Sequence, residues 1–595
     1  MTIDSTLRSE IQKAILALYN QQTDVLQLQP TNAEFAGSHT LVCFPLTRLT
    51  KKKPEEAAAA IGEYLVASSA IVKEFNVVKG FLNLTLSDAV WVETLIGIYE
   101  NAGYGQLPFH GEEIMIEYSS PNTNKPLHLG HLRNNFLGWS VAGIYKANGY
   151  MVHKVQIIND RGIHICKSMA AWKLYGDGES PDSADMKGDH FVGKYYVTFD
   201  KVYKTQVKAL MEKGATEEDA GKQAPIMKLA VDMLQKWEQK DPEIVQLWKM
   251  MNGWVYEGFD ATYKKMGVDF EKLYYESDTY LLGREQVMKG VDRGIFFKKE
   301  DGSVWVDLTA DGLDQKLLLR SDGTSVYMTQ DIGTAILRFR DFPKIKGQIY
   351  TVGNEQEYHF KVLFLILAKL GYEWARRCYH LSYGMVDLPS GKMKSRQGTV
   401  VDADDLIEEM VMEAEKQTKE LGKLDDTSEE QARQLFETIG LGALKFFLLK
   451  VDPKKRMLFD PNESIQLQGF TGPFIQYTHA RIKAILRKAS SIGIVPDAAA
   501  LSNVRSLEPA EREVIQVLGM FESKIEEAAR DYSPAVIANY VYELAKEYNQ
   551  FYQSIPIFNE ADAAKLQLRI ALSQTVASAI KTGMNLLGIQ VPEKM

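Results

Sequence analysis

Two short segments hold the side chains best suited to phosphate chemistry. The first is His128-Leu129-Gly130-His131, preceded by Lys125, where a turn-rich stretch gives way to a helical pattern. Two imidazoles one helical turn apart can donate to the same phosphate oxygens, and a helix N-terminus adds unpaired N–H groups and a partial charge of about +0.5. Gly130 has no side chain to keep a flat base off the backbone. The second segment is the glycine-bounded basic run 391–398, GKMKSRQG. There Lys392, Lys394 and Arg396 are spaced to hold the outer phosphates of a nucleotide and to neutralise a departing pyrophosphate. The sequence has no GxxxxGK followed by Ser or Thr. Its nearest GxGxxG, 440–445, carries Lys445 in place of the third glycine inside a helical run, which points to helix packing.

Both segments need a scaffold. IMIEY (114–118) reads as a strand, SSPNTNKP as turn chemistry, LRNNFLGWSVAGIYKANG as a helix stopping at Asn148-Gly149, and MVHKVQIIND as a second strand. Strand, loop, helix, strand is a βαβ unit, which implies a parallel sheet with its crevice at the carboxyl ends of the strands. KGQIYTVGN, FKVLFLILAKLG and HLSYGMVDL repeat the pattern further along. The expectation is one doubly wound, Rossmann-like α/β domain over residues 110–400, interrupted at about 165–325 by an insertion of long helices and alternating VWVDL and LLLR. Residues 1–109 read as a small α+β domain with an alanine-rich helix over 55–68 and a strand in VVKGFLNLTL. Beyond residue 400 the pattern is helical: a connecting region over 401–470, whose acidic stretch 402–430 reads as a solvated face, then an all-α bundle over 471–595. In the bundle Leu568, Leu572, Val576 and Ile580 recur every fourth residue, and Ser533-Pro534 marks a helix start.

Composition sets the outer limits. At about 150 residues per domain, 595 residues imply roughly four domains. Hydrophobic residues at 45% and charged residues at 25% match globular usage and exclude a disordered or collagen-like chain. The longest apolar run, VLFLILA (362–368), is far short of the roughly 20 residues a spanning helix needs, so no membrane insertion is expected. The N-terminus lacks the order of a secretory signal, so a cytoplasmic location is expected. Three widely separated cysteines fit neither a disulfide framework nor a structural zinc site, and no structural metal is expected. A net charge of −9 means that any nucleic-acid partner must be held by local basic patches.

HLGH followed by KMKSR resembles the two signatures of class I aminoacyl-tRNA synthetases, and EYSSPNTNKPLHLGHLRN (117–134) is similar along its length to the arginyl-tRNA synthetase form. The likeness continues in family order through NDRG (159–162), SDGTSVYMTQD (321–331), VGNEQEYHF (352–360), GPFIQYTHARI (472–482) and the terminal LLGIQVPEKM. Two segments depart from the pattern. Ser395 and Arg396 stand where the class has a final Lys, with Lys394 in place of a small residue, and FAGSHTLVCFPL (35–46) replaces a more acidic stretch.

The resemblance implies an arginine–tRNA ligase that forms arginyl-adenylate and then charges the 3′-terminal adenosine of its tRNA, with tRNA needed for the first step. It implies catalytic roles for His128, His131, Lys392, Lys394 and Arg396. ATP binding would involve these histidines and lysines together with Lys125, Leu129, Gly130, Gly353, Glu355 and Met393. ATP would arrive with Mg²⁺ as substrate, and no organic cofactor is implied. An arginine pocket needs acceptors in paired geometry. Tyr327 and Asp331, four apart, are implied for the guanidinium, and Glu117, Ser119, Asn122 and Gln356 for the amino and carboxylate end. For tRNA, the acid-free stretch with Arg481, Lys483, Arg487 and Lys488 offsets the global charge locally, and Tyr540, Tyr542, Tyr548, Phe551 and Tyr552 follow it. Arg481, Lys483, Tyr548 and Tyr552 are the candidate contacts. By family order the bundle binds the anticodon, the N-terminal domain contacts the tRNA elbow, and the enzyme is a monomer. A class I synthetase of another specificity would share both signatures but not Tyr327, Asp331 and Glu117. A silent paralogue would lose a signature, and a short nucleotidylyltransferase would lack the insertion and bundle.

Overall fold

The computed structural model describes residues 3–32, 34–387, 389, 401–420 and 428–595. The N-terminal unit is a four-stranded antiparallel sheet ordered Leu28–Pro30, His39–Val42, Phe81–Leu86, Val72–Val78, with helices Ile3–Tyr19 and Pro54–Ser68 packed on it. VVKGFLNLTL, expected as one strand, is instead a hairpin. Lys79 (φ 48°) and Gly80 (φ 79°) both turn left-handed, the conformation that a two-residue connection between right-twisted strands requires.

The central domain is built on five parallel strands: β1 (Glu113–Glu117), β2 (Met151–Ile158), β3 (Lys272–Tyr275), β4 (Ile345–Gly353) and β5 (Tyr379–Tyr383). Their order is β5-β4-β1-β2-β3, so the winding reverses between β1 and β4. A crevice opens there at the carboxyl ends, where this topology binds ligands. Helix α1 (Leu129–Ala147) crosses from β1 to β2, and its N-terminus faces that crevice. The stretch expected as a single insertion is divided by β3. Five helices from Ile163 to Met266 connect β2 to β3, and a three-stranded antiparallel sheet (Phe297–Lys298, Val304–Val306, Lys316–Leu319) lies between β3 and β4. β3 is only four residues long and half exposed, which leaves little hydrophobic pattern to mark it.

Helix α1 is buried nearly all round, with Phe136, Leu137, Val141 and Ile144 in the core. The sheet covers one side and the C-terminal helices the other. Ser140 Oγ donates to the carbonyl of Leu586 at 2.8 Å, at the end of the last helix, Ala563–Leu586. In that helix Leu568, Leu572, Val576 and Ile580 are all buried. The acidic stretch 402–430 is two-faced where described: the helix Ala403–Glu420 exposes acids but buries Leu406, Ile407, Met410 and Ala414. The 440–445 run lies inside a helix, Glu429–Leu449, with Gly440 against the backbone of Met410 and Lys445 donating to the Gly588 carbonyl at 2.6 Å. Among the described residues, no helix is long and apolar enough to cross a membrane.

Close approach of α1 to the sheet depends on Gly138, where an added Cβ would lie 2.3 Å from Cβ of Tyr118. Gly138→Ala is therefore expected to destabilise the domain by about 1–3 kcal/mol through overpacking. Calorimetry should show a lower melting temperature. Gly143→Ala, whose nearest neighbour would be the Leu586 carbonyl oxygen at 3.5 Å, should melt like the parent.

Candidate active site

The site begins where β1 ends. Ser119 (φ 75°) and Ser120 (φ 48°) are both left-handed non-glycine residues, a conformation costing roughly 1–2 kcal/mol each. Buried side chains hold the kink. The Ser119 N–H donates to Asn134 Oδ1 at 2.5 Å, and Ser119 Oγ lies 2.7 Å from the Tyr263 hydroxyl. Asn134, on α1, donates from Nδ2 to the Thr351 carbonyl of β4 at 2.7 Å and to the Tyr383 hydroxyl of β5 at 3.2 Å. One amide thereby ties three strand ends to the helix. Next to it, buried Arg133 donates to the carbonyls of Gly384, Asp452 and Pro453, joining α1 to the connecting region.

His128 is the N-cap of α1, with extended backbone. Its Nδ1 accepts from the Gly130 N–H at 3.1 Å, and Nδ1 of His131 accepts from the His128 N–H at 3.1 Å. Both Nδ1 atoms are thus acceptors, so each neutral ring carries its proton on Nε2. Burial pushes His128 down to about 3, with the nearby Lys125 adding to the shift, and burial, the His128 ring and Lys125 hold His131 well below the ordinary imidazole value. The ring centroids are 3.9 Å apart. The pair therefore offers two neutral Nε2–H donors beside the backbone N–H groups of a long helix, an arrangement suited to phosphate oxygens. Leu129 and Gly130 belong to the first turn of that helix, and an added Cβ at Gly130 would come within 3.0 Å of His128 Cε1. Lys392, Met393, Lys394 and Arg396 lie outside the described residues. The Val401 carbonyl accepts from Leu129 N–H at 3.2 Å, and Ala403 N–H donates to the Leu127 carbonyl at 3.0 Å. Asp402 and Asp404 are held by His190 at 3.4 and 3.2 Å, and Asp404 also by Lys187 at 2.5 Å. Asp189, His190 and Asp404 stand close enough to share an ion, yet the Lys187 ammonium already sits 3.1 Å from Asp189.

Glu117, the last residue of β1, is buried. Its Oε2 accepts from Arg338 and from Gln348 at 3.3 Å, while Oε1 accepts from Ser120 Oγ at 3.0 Å. The structure thus turns Glu117 inward, to a guanidinium of the protein itself. Arg338 packs over the rings of Tyr274 and Tyr350 and fixes helix α2 (Tyr327–Asp341) to the sheet. Tyr327 and Asp331 share one face of α2. Tyr327 is 75% exposed, and Asp331 meets His359 at 2.6 Å. Gly353 ends β4; Glu355 and Gln356 lie exposed on the following turn, and the backbone of Asn122 forms a parallel bridge with that of Asn159, just past the end of β2.

Sequence reasoning missed Glu276, the residue after β3. Burial, together with the repulsion of Asp160 and Asp331, raises its carboxyl to about 7 against the opposing pull of Arg161. The charge of Asp331 on α2 thus reaches Glu276 at the carboxyl end of β3. The available signal was position: had β3 been recognised, Glu276 would have stood at the carboxyl end of a parallel strand.

In the bundle, Arg481 bonds Asn549 and lies over the rings of Tyr477 (5.0 Å) and Tyr552 (5.3 Å), while Lys483 pairs with Glu593 at 3.0 Å. Tyr552 is exposed. Tyr548, expected to face RNA, is instead fully buried with its hydroxyl on Ser573 at 2.8 Å, because it falls on the same helical face as Val541, Leu544 and Phe551. Tyr540 and Phe551 are core residues as well.

Residues 98–460 match the family described as tRNA synthetases class I (R), catalytic domain. Residues 475–595 match the DALR anticodon binding domain, and residues 4–86 the arginyl tRNA synthetase N terminal domain. The chain is 56% identical over 599 residues to the arginine–tRNA ligase of Bacteroides thetaiotaomicron, and 54% identical over 597 residues to that of Amoebophilus asiaticus, with 100% of both chains covered in each case. Its fold is similar to an arginyl-tRNA synthetase structure from Thermus thermophilus (TM-score 0.76, 24% identity, both chains covered in full). A second similar structure, from Plasmodium falciparum, gives a TM-score of 0.77 at 18% identity, covering 100% of this chain and 99% of that one.

The histidine pair has a consequence for stability. Between the ordinary value of 6.5 and about 3, an unfolded His128 binds a proton that the folded ring does not. Stability is therefore complete above 6.5 and is lost as pH falls through that window. His128→Gln should shrink the difference in melting temperature between neutral and mildly acidic buffer. An unchanged difference would show that the ring protonates freely in the folded protein.

Proposed function

The chain belongs to the class I arginyl-tRNA synthetase family, and from that premise we propose how its residues ligate arginine to tRNA. In the reaction a carboxylate oxygen of arginine attacks the α-phosphorus of ATP, breaking the bond to the bridging oxygen and releasing pyrophosphate. A hydroxyl of the 3′-terminal adenosine of tRNA then attacks the arginyl carbonyl, loses its proton and displaces AMP. Neither step needs a covalent enzyme intermediate, so the protein acts by positioning and by stabilising charge.

The α1 N-terminus receives the ATP phosphates, with the Nε2–H groups of His128 and His131 donating to the oxygens on which charge builds. Lys125 stands by, and Lys392, Lys394 and Arg396 neutralise the leaving pyrophosphate. Mg²⁺ comes with ATP on its outer phosphates. Gly353, with no side chain, and Glu355 border the adenosine, supported by their place at the end of β4 and on the turn after it.

Arginine lies across the crevice with its guanidinium between Asp331 and Glu276 and beside the Tyr327 hydroxyl. Its amino and carboxylate groups reach towards Ser119, Asn122, Gln356 and the free acceptor capacity of Glu117 Oε1. The observation that carries this reading is Glu276, a carboxyl at the end of β3 raised by burial and by the charge of Asp331, in the same sheet whose α1 N-terminus bears two neutral donors. A planar cation joins two such acceptors by paired, charge-assisted bonds; a lysine ammonium cannot bridge them in the same plane. The bundle binds the anticodon arm through Arg481, Lys483 and Tyr552, and the N-terminal domain reaches the elbow. The enzyme works as a cytoplasmic monomer, as its family resemblance implies.

Arginine-dependent ATP–pyrophosphate exchange, run with and without tRNA and with lysine in place of arginine, tests the assignment. Exchange with arginine alone among the amino acids, and only with tRNA present, is expected; exchange with lysine would refute the pocket. Asp331→Asn should raise the KM for arginine by about 10- to 100-fold, the value of one hydrogen bond to a charged group, with little change in the KM for ATP.

A guanidinium beside Glu276 favours its ionised form, so arginine binding expels a proton below the free value of about 7. The KM for arginine should therefore fall as pH rises to about 7 and level off above it. Glu276→Gln should flatten that profile, and a profile unchanged by the substitution would remove Glu276 from the pocket.

A further inference from the structure

The turn that carries Glu276 hangs on another buried carboxylate. Asp160 follows β2 and is 1% exposed. Its Oδ1 accepts from the Ser277 N–H at 2.9 Å, and Oδ2 accepts from Ser277 Oγ at 2.7 Å and the Tyr256 hydroxyl at 2.9 Å. The Asp160 carbonyl is held in turn by the indole N–H of Trp248 at 2.6 Å and the Asn252 amide at 3.1 Å. All of these donors are neutral, and no ion pair to Asp160 is found among the described residues. An asparagine would keep the acceptor for the Ser277 N–H but turn an NH2 donor towards the two hydroxyls, so the place is built for a carboxylate. Keeping a buried carboxylate without a cation is costly, so its charge invites a use.

The use lies next door. The charged groups that act on Glu276 are Arg161, Asp160 and Asp331. Of these, Arg161 is already engaged: it pairs with Glu238 at 3.0 Å and lies over Tyr280 at 3.9 Å and Trp237 at 5.4 Å. Asp331 pairs with His359. Asp160 therefore adds negative potential behind Glu276 while fixing the backbone of the residue after it.

We propose that Asp160 is a specificity-determining positioning residue. It locks the Glu276–Thr279 turn through Ser277, and its charge biases the pocket towards a cationic guanidinium over an uncharged side chain of the same shape. This rests on the arginine pocket proposed above.

The test uses full-length protein in the tRNA-supported exchange assay, with citrulline, the neutral isostere of arginine, as competitor. Asp160→Asn keeps the acceptor for the Ser277 N–H and the side chain's shape while it removes the charge. It should raise the KM for arginine by about tenfold, equivalent to the loss of roughly one modest charge interaction, and narrow the preference for arginine over citrulline. It should also move the pH inflection assigned to Glu276 to lower pH, because a like charge beside that carboxyl is gone. Tyr256→Phe, which drops one neutral bond and keeps the charge, should leave the inflection in place. An inflection present in the parent and unmoved in Asp160→Asn, with an unchanged arginine-to-citrulline ratio, overturns this inference alone. A parent profile lacking any inflection that Glu276→Gln removes overturns the pocket reading and this inference with it. An Asp160→Asn protein whose KM for ATP rises as much as that for arginine marks a folding role and also overturns it.

Discussion

One buried side-chain amide sets the geometry on which the rest of the site depends. Asn134 accepts from the kinked backbone of Ser119 and donates to β4 and β5, so three strand ends and the start of α1 share a single anchor. Without that tie the left-handed pair Ser119 and Ser120 would relax towards ordinary backbone, and Glu117 would lose its place over the sheet. The Glu117–Arg338 pair extends the frame outward. It fixes α2, and with it Asp331, to the carboxyl end of β1. Both interactions are buried, where a missing partner costs far more than at the surface.

Burial also gives the crevice its polarity. At one end it removes charge from His128 and His131 and leaves two neutral donors next to a helix N-terminus. Near the end of β3 it raises the carboxyl of Glu276, on which the charges of Asp331 and Asp160 act against that of Arg161. A crevice with donors at one end and acceptors at the other matches a reaction that joins a polyphosphate to a cationic amino acid. The same desolvation strengthens each interaction once the substrates exclude water. The C-terminal bundle is not a separate appendage to this machinery. The last helix ends against α1 at Ser140, and Lys445 donates to the Gly588 carbonyl just beyond it, so the helix that bears the histidine pair is packed directly on the domain matched to anticodon binding.

Much of this was legible in the sequence because it is local. The HLGH spacing, the strand before it and the helix after it lie within one βαβ unit, and the period of hydrophobic residues marks all three. The features that were not legible depend on tertiary contacts. β3 is a half-exposed strand of four residues that earns its place only by pairing with β2, so Glu276 at its end stayed hidden inside an apparent insertion. The hairpin at Lys79-Gly80 was concealed because two strands joined by a two-residue turn read as one apolar run. Tyr548 and Tyr552 are four residues apart on one helix; which of them faces solvent is decided by the neighbouring helices, and only Tyr552 does. Glu117 reads as a free acid until Arg338, 221 residues away, is placed beside it.

The most direct test of the account is a crystal structure with a non-hydrolysable analogue of arginyl-adenylate. The account predicts the guanidinium between the carboxylates of Glu276 and Asp331, within hydrogen-bond distance of both, and the α-phosphate group within reach of the Nε2 atoms of His128 and His131. A guanidinium bound out of reach of both carboxylates would contradict it.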